Sequence, residues 1–400
     1  MRTFWLGAAV AALVAAPALA ADDTITIGMT VSQTGSLNVD SVAQLKGAEF
    51  WRDEVNEKGG IKVGDKQYKV RFVSYDDQSQ GGRVQQLYTR LIVQDHAQFL
   101  FGPYSSGLTA TAAVISEQYG KIMLIGGGAE GKTYELGNKY LFQCITSADF
   151  YLSGSVQALK EKNAGAQIAF VYSDDPFSKA VVAAARAQAA EAGFKEVLNE
   201  SYPPSTTDFS PIINKIISSK ADVFMGGGHY PDGATLARQL YDQKANLKWV
   251  SILVAPDSPQ YASLGPAALG ITVPSQWEPQ VTYKPDFGPT PADFAKAFDA
   301  KNPVAADYHT ASGYVTGLLL QHAIEQAGSI EPEKVADALN KLDVTTFFGR
   351  FKIATDPKHH GLQTAHQMVL AQWQMKDGKL AKEVVWPDKA KTANVLYPLH

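Results

Sequence analysis

Residues 99–125 read FLFGPYSSGLTATAAVISEQYGKIMLI. Phe99-Leu100-Phe101-Gly102 is a short apolar run suited to a buried strand, Gly107 to Tyr119 spaces its apolar residues as a helix does, and Lys121 to Ile125 is strand-like again. Strand, helix and strand in such close succession form a βαβ unit, whose strands lie parallel. The same rhythm runs upstream. Thr24 to Met29 alternates, Ala43 to Val55 is helical and stops at Gly59-Gly60, Tyr68 to Tyr75 is β-rich, and Arg83 to Val93 is amphipathic. This predicts a mainly parallel sheet with helices on both faces.

The rhythm restarts downstream. Tyr151 to Lys162 reads as helix, Gln167 to Tyr172 as strand, and Phe177 to Ala192 as an Ala-rich helix closed by Gly193. Glu196 to Ser201, Phe209 to Ser218, Ala221 to Met225, Ala234 to Gln243 and Trp249 to Val254 continue the alternation. Each half has a short apolar strand running into three glycines: Ile122 to Ile125 before Gly126-Gly127-Gly128, and Asp222 to Met225 before Gly226-Gly227-Gly228. Two lobes of like architecture follow. From about Gly270 to Pro291 the pattern gives way to a Pro-rich connection. Helical patterns at Pro291 to Asp299, Tyr308 to Ala327 and Pro332 to Leu342 come next, then a β-like tail from Gly349.

Composition narrows the function. The 400 residues are 45% apolar and 19% charged, enough for two ordinary domains and too apolar for a disordered chain. A net charge of −4 carries no basic excess, so neither nucleic acid nor an anionic membrane is an expected partner. The single cysteine, Cys144, excludes an intramolecular disulfide and reads as a small buried hydrophobe. Residues 1–20, MRTFWLGAAVAALVAAPALA, have the charged start, short apolar stretch and small-residue end of a signal peptide cut near Ala20. The expected location is the periplasm.

Catalytic motifs are missing. Gly126, Gly128 and Gly131 satisfy GxGxxG, but the residues after them leave no room for the helix a dinucleotide needs. There is no GxSxG, HExxH or P-loop pattern. His359, His360 and His366 sit in a polar stretch that reads as a solvated loop rather than a metal site. No enzyme, catalytic residue, metal or cofactor is therefore expected. What recurs is a turn of small or polar residues after each early strand: Ser32 to Ser36, Gly102 to Gly107, and Gly126 to Ala129. In an open α/β sheet such turns lie at the carboxyl ends of the strands, where ligands bind. Ser106 and Gly107 open a helix there, and free N–H groups with a positive dipole end suit a carboxylate.

These residues resemble the type I periplasmic solute-binding proteins of ABC transporters, in the Leu/Ile/Val-binding group. The carriers are Ile27-Gly28 with Thr34-Gly35, Lys46-Gly47-Ala48-Glu49, Val55 to Ile61, Tyr75-Asp76-Asp77, Phe101 to Ser106, Asp208-Phe209-Ser210, Gly227-Gly228-His229-Tyr230 and Gly349-Arg350-Phe351. The resemblance implies an α/β fold of two doubly wound, Rossmann-like lobes joined by three hinge crossings, near Gln143–Ser147, Val273–Trp277 and Gly349–Lys352, with the ligand in the cleft between lobes. The first lobe would hold residues 21–145 and 276–348, the second 146–275 and 349–400. Carboxylate contacts fall at Ser106 and Thr109, beside Tyr104 and Ser105. Backbone contacts fall at Gly127, Gly128 and Ala129, and second-lobe contacts at Phe177, His229 and Asp257, the last facing an ammonium in amino-acid binders.

The chain departs from that pattern in two places. Gly128-Ala129 replaces a common Ala-Thr, and His229 replaces an aromatic. With Tyr104, Phe177, Tyr230 and Trp277, His229 could line a cleft for a flat carboxylate. The expected function is capture of a small carboxylate, foremost an amino acid, by a monomer that delivers it to an inner-membrane permease. An aromatic or other non-amino-acid carboxylate, an amide, or service as the soluble sensor of a membrane receptor are the alternatives on the same fold.

Overall fold

Ile25, Ile27, Met29 and Val31 bury one face of the strand Thr24–Val31, and this strand organises the first half of the chain. It pairs in parallel with Lys66–Asp76 on one side and Phe99–Phe101 on the other. Met123–Ile125 and Leu141–Gln143 extend the sheet in parallel, and Ile61–Val63 adds an antiparallel edge beside Lys66–Asp76. The structure, a computed structural model, describes residues 23–399. The expected signal peptide lies outside the described residues.

The second sheet repeats the plan. Lys195–Tyr202, Gln167–Ser173, Val223–Gly227, Trp249–Ile252 and Thr272–Ser275 are parallel neighbours in that order, and Val369–Lys376 and Lys379–Trp386 close it with an antiparallel edge. In each sheet the first long strand of its half lies between the second and the third. The winding reverses there, and the crevice beyond the strand ends at such a point is the place where open α/β sheets receive ligands. The expected α/β fold of two parallel-sheet lobes is the one observed.

Helices Asn38–Glu57 and Tyr308–Ala327 pack backbone to backbone and tie the chain's later helices to the first sheet. A Cβ at Gly47 would lie 1.8 Å from the Thr310 carbonyl oxygen, and one at Gly313 would lie 1.9 Å from that of Gln44. Only glycine permits this approach. Gly313→Ala is expected to cost about 1–3 kcal/mol of stability, read as a lower urea midpoint at an unchanged m-value. An unchanged midpoint would mean that the helices do not touch this closely.

The chain leaves the first sheet after Gln143 and returns from Thr272–Ser275 through residues 276–290. The third crossing differs from expectation. Gly349–Lys352 forms a hairpin with Asp343–Thr346, and the chain then stays beside the first sheet, where the Gln143 N–H donates to the Gly361 carbonyl at 2.8 Å. It joins the second sheet only at Val369, so we place this crossing at residues 363–369.

The three crossings meet in one hydrogen-bonded knot. The Thr146 N–H donates to Gln276 Oε1 at 3.0 Å, Gln276 Nε2 donates to the Tyr151 hydroxyl at 2.8 Å, and the Thr146 hydroxyl contacts the His366 ring and carbonyl. His366 Nε2 lies 2.9 Å from the Phe348 carbonyl, to which it donates. The solvated-loop reading of His366 is thus corrected. The chain runs back between the lobes after Gly361 and buries the ring, and burial pushes its pKa down to about 4. His359 and His360 are both half-buried.

Candidate functional site

Four helices aim their N-termini into the crevice: Ser106–Gln118, Pro176–Glu191, Tyr230–Asp242 and Tyr308–Ala327. Local chemistry fixes where each begins. Asp175 Oδ1 accepts the Ser178 N–H at 3.0 Å and Asp307 Oδ1 accepts the Thr310 N–H at 2.9 Å, while Pro176 and Pro231 occupy first-turn positions that need no donor. Side chains at these starts therefore face one another. Tyr104, Ser105, Ser106, Phe177, His229, Tyr308 and His309 enclose a single space together with Gly126, Gly127, Ala129, Ile145 and Tyr151.

Six rings line that space in sequence. Centroid separations are 5.0 Å for Tyr151–Phe177, 5.7 Å for Phe177–His229, 5.4 Å for His229–Tyr104, 5.3 Å for Tyr104–His309 and 3.9 Å for His309–Tyr308. The enclosed volume is about 10 Å³, room for about one water. The lobes are latched over it. The Tyr104 hydroxyl and His229 Nδ1 are 2.9 Å apart, and the Tyr230 N–H reaches Asp40 Oδ2 at 3.4 Å. On the solvent side of the latch a recess of about 210 Å³, bordered by Ser36, Ser79, Gly107, Ser173 and Asp175, leads outward. A small organic ligand enters only if the latch opens and the lobes part.

The Ser106 hydroxyl is the best-placed donor. Its oxygen accepts the N–H groups of Ala129 and Glu130, both at 3.1 Å, and this leaves its proton to donate into the space it lines. The first N–H groups of its helix have no intrahelical acceptor and carry the positive dipole end. Gln143 Nε2 holds the facing loop by donating to the carbonyls of Gly128 and Ala129, each at 3.2 Å. The three glycines of that loop serve close approach. A Cβ at Gly127 would fall 2.5 Å from Gln44 Oε1, and one at Gly128 would fall 2.4 Å from Thr109 Oγ1. Only the short 3₁₀ turn Gly131–Tyr134 follows, not a dinucleotide-binding helix.

Of the residues singled out in the sequence, Tyr104, Ser105, Ser106, Gly127, Ala129, Phe177 and His229 come together around the space. Thr109, Gly128 and Asp257 stand outside its lining. Thr109 lies under Gly128 and donates to the Pro103 carbonyl at 2.9 Å. Tyr230 packs towards the outer core of the second lobe, and Trp277 is buried against Phe294 and Phe347. Tyr151, Tyr308 and His309 escaped sequence reasoning. The available signal was Asp307, a helix-capping residue directly before two aromatic rings.

Asp257 belongs to a buried charge cluster. Its Oδ1 accepts the Ser275 hydroxyl and the Lys382 ammonium, each at 2.9 Å, and its Oδ2 accepts the Tyr308 N–H at 3.0 Å. Lys382 also donates to Glu278 at 2.8 Å. Burial raises Glu278 to about 7 against the pull of Lys382, and burial with the Asp257 charge raises Asp307 to about 6. Burial alone would depress Lys382, yet the two carboxylates hold its pKa above the usual value. Oxygens of Asp257 and Asp307 and a nitrogen of His309 all lie within 4.8 Å of one another, as cation ligands do. The Lys382 ammonium already supplies the positive charge at Asp257. A larger groove of about 570 Å³ runs between Asn38–Glu57 and Tyr308–Ala327, outside the crevice at the strand ends.

Comparison with known proteins accords with this geometry. The profile of the family described as Periplasmic binding protein matches residues 24–379. The Leu/Ile/Val-binding protein BraC3 of Rhizobium johnstonii is 28% identical over 334 residues, covering 82% of this chain and 86% of that protein. Among solved structures, the branched-chain amino acid transporter substrate binding protein LivJ from Streptococcus pneumoniae, in complex with isoleucine, superposes with a TM-score of 0.77 at 22% identity and covers 91% of this chain and 100% of its own. A solute binding protein of an ABC transporter from Rhodopseudomonas palustris HaA2, in complex with p-hydroxybenzoic acid, reaches 0.80 at 22% identity and covers 92% and 98%. With the parallel strands of both sheets and the crevice between them inside the family match, the chain belongs to the periplasmic binding proteins, in their type I form.

Proposed function

We propose that this protein captures a small aromatic carboxylate in the periplasm and delivers it, unchanged, to the permease of an ABC transporter. The row of six rings from Tyr151 to Tyr308 carries the reading, because offset and edge-on aromatic contacts favour a flat ring over a branched aliphatic chain. Ser106 and the helix it opens supply the carboxylate partner. The sequence put an amino acid first. Two features argue against it: Asp257, the acid expected to meet an ammonium, is engaged by Lys382, and Ala129 offers no hydroxyl for an amino-acid head group. Isoleucine and p-hydroxybenzoic acid occupy two structures of this fold, so the fold admits either ligand class and the choice rests on the lining residues.

The mechanism is binding without chemistry. A ligand held by Ser106 from one lobe and by Phe177 and His229 from the other stabilises the closed form by the contacts it makes only there. The closed pair of lobes is the form a permease would read. We further propose that the chain is exported with its leader removed near Ala20 and acts as a monomer. A thermal-shift screen of the mature protein tests the ligand class, since a ligand specific to the folded state raises its melting temperature. Benzoates are expected to raise it; a rise with leucine or isoleucine and none with benzoates would reverse the proposal.

A further inference from the structure

We infer that His309 reads a hydroxyl on the ligand's ring, so that the preferred ligand is a hydroxylated aromatic acid rather than a bare one. This rests on the aromatic-acid reading above and goes one step further. His309 is 2% exposed and lines the same enclosed space as Ser106 and His229, and neither Nδ1 nor Nε2 has a hydrogen-bond partner. Native proteins pair nearly all of their buried polar groups, so a ring with both nitrogens bare at a binding site needs an explanation.

The protein itself offers His309 nothing. The Tyr104 ring stands edge-on to it at 5.3 Å, but the Tyr104 hydroxyl is committed to His229. The Tyr308 ring is tilted by 30° against it with centroids 3.9 Å apart, and its hydroxyl makes no hydrogen bond to either nitrogen. Of the charges around it, Asp257 is engaged by Ser275, Lys382 and the Tyr308 N–H, Asp307 Oδ1 caps its own helix, Asp40 Oδ2 receives the Tyr230 N–H, and no carboxylate oxygen hydrogen-bonds either His309 nitrogen. His229 and Lys382 complete the set of charged or titratable groups that face it. Burial holds the His309 pKa below its usual value, so the ring is neutral at neutral pH and presents one donor and one bare acceptor.

A phenolic hydroxyl meets one of these two needs, by donating to the bare nitrogen or by accepting from the N–H. An aliphatic side chain or an unsubstituted ring leaves both nitrogens unpaired. Sites built around an unpaired polar group discriminate strongly against ligands lacking the complement, because the penalty falls on the wrong ligand.

Titration calorimetry with benzoate, 3-hydroxybenzoate and 4-hydroxybenzoate on wild type, His309→Phe and His309→Gln tests the inference, with thermal melts confirming that each variant is folded. In wild type at least one hydroxybenzoate is expected to bind about tenfold or more tightly than benzoate. His309→Phe is expected to reduce that preference to within about twofold by loss of hydroxybenzoate affinity alone, and His309→Gln to keep part of it. Should the phenylalanine variant not fold, His309→Leu carries the same comparison. Equal affinity of wild type for all three acids, or a preference that survives in the folded apolar variant, overturns the role of His309 and leaves the aromatic-acid reading standing. If wild type binds none of the three, the aromatic-acid reading falls and this inference with it.

Discussion

Lys382→Met is expected to lower stability by about 3–5 kcal/mol at pH 8 and by much less at pH 5. The ammonium is the positive charge bonded to both Asp257 and Glu278, and all three side chains are shielded from water. Removing it strands two carboxylates in a site where charge is costly, whereas methionine fills the volume of the stem. The pH dependence follows from the acids. Glu278 has a folded pKa of about 7 and Asp307 of about 6, both above their ordinary values. A raised carboxyl pKa means that the folded state binds the proton more tightly. Its contribution to stability is complete below the unfolded pKa and is lost as pH rises through the folded one. For Glu278 the window runs from about 4.5 to about 7, and loss of Lys382 lifts its upper end. Denaturant unfolding of wild type and variant at the two pH values reads the difference. An equal loss at both, or none at pH 8, would show that the cluster is not the charge-paired node described.

Ser106→Ala is expected to weaken binding of an aromatic carboxylate by about 1–3 kcal/mol, roughly 5- to 150-fold. The hydroxyl proton is the donor aimed into the enclosed space, and the helix start behind it is otherwise backbone. The same oxygen accepts from Ala129 and Glu130, so the substitution also loosens the facing loop. Comparing benzoate with benzamide separates the two effects. Loss of the carboxylate contact penalises benzoate more, while a loosened loop weakens both alike. Calorimetry that finds benzoate affinity unchanged removes Ser106 from the site.

The fold was largely legible because its strands are short continuous apolar runs, its helices are amphipathic, and glycine or proline marks the joints. Helix Pro291–Asp299 lies where its pattern placed it. The third crossing was not, since Gly349–Lys352 has the same β-like character whether it pairs locally or in the second sheet. His366 looked solvated for a related reason: its neighbours in sequence are polar, and only the return of the chain between the lobes buries it. The first-lobe half of the site was readable from the turn Gly102 to Gly107 before a helix. Its remaining residues depend on tertiary approach. Lys382 meets Asp257 across 125 positions and so changes what that acid can do. His309 enters the cleft only because Gly47 and Gly313 let two helices touch.

A crystal structure of the mature chain grown with benzoate decides whether the ring-lined cleft takes the acid. The carboxylate is expected within hydrogen-bonding reach of Ser106 Oγ and the start of its helix, with the ring between Tyr104 and Phe177 and both lobes in contact with it. Density for benzoate in the groove between Asn38–Glu57 and Tyr308–Ala327, or a cleft that stays shut and unoccupied at saturating benzoate, would contradict it.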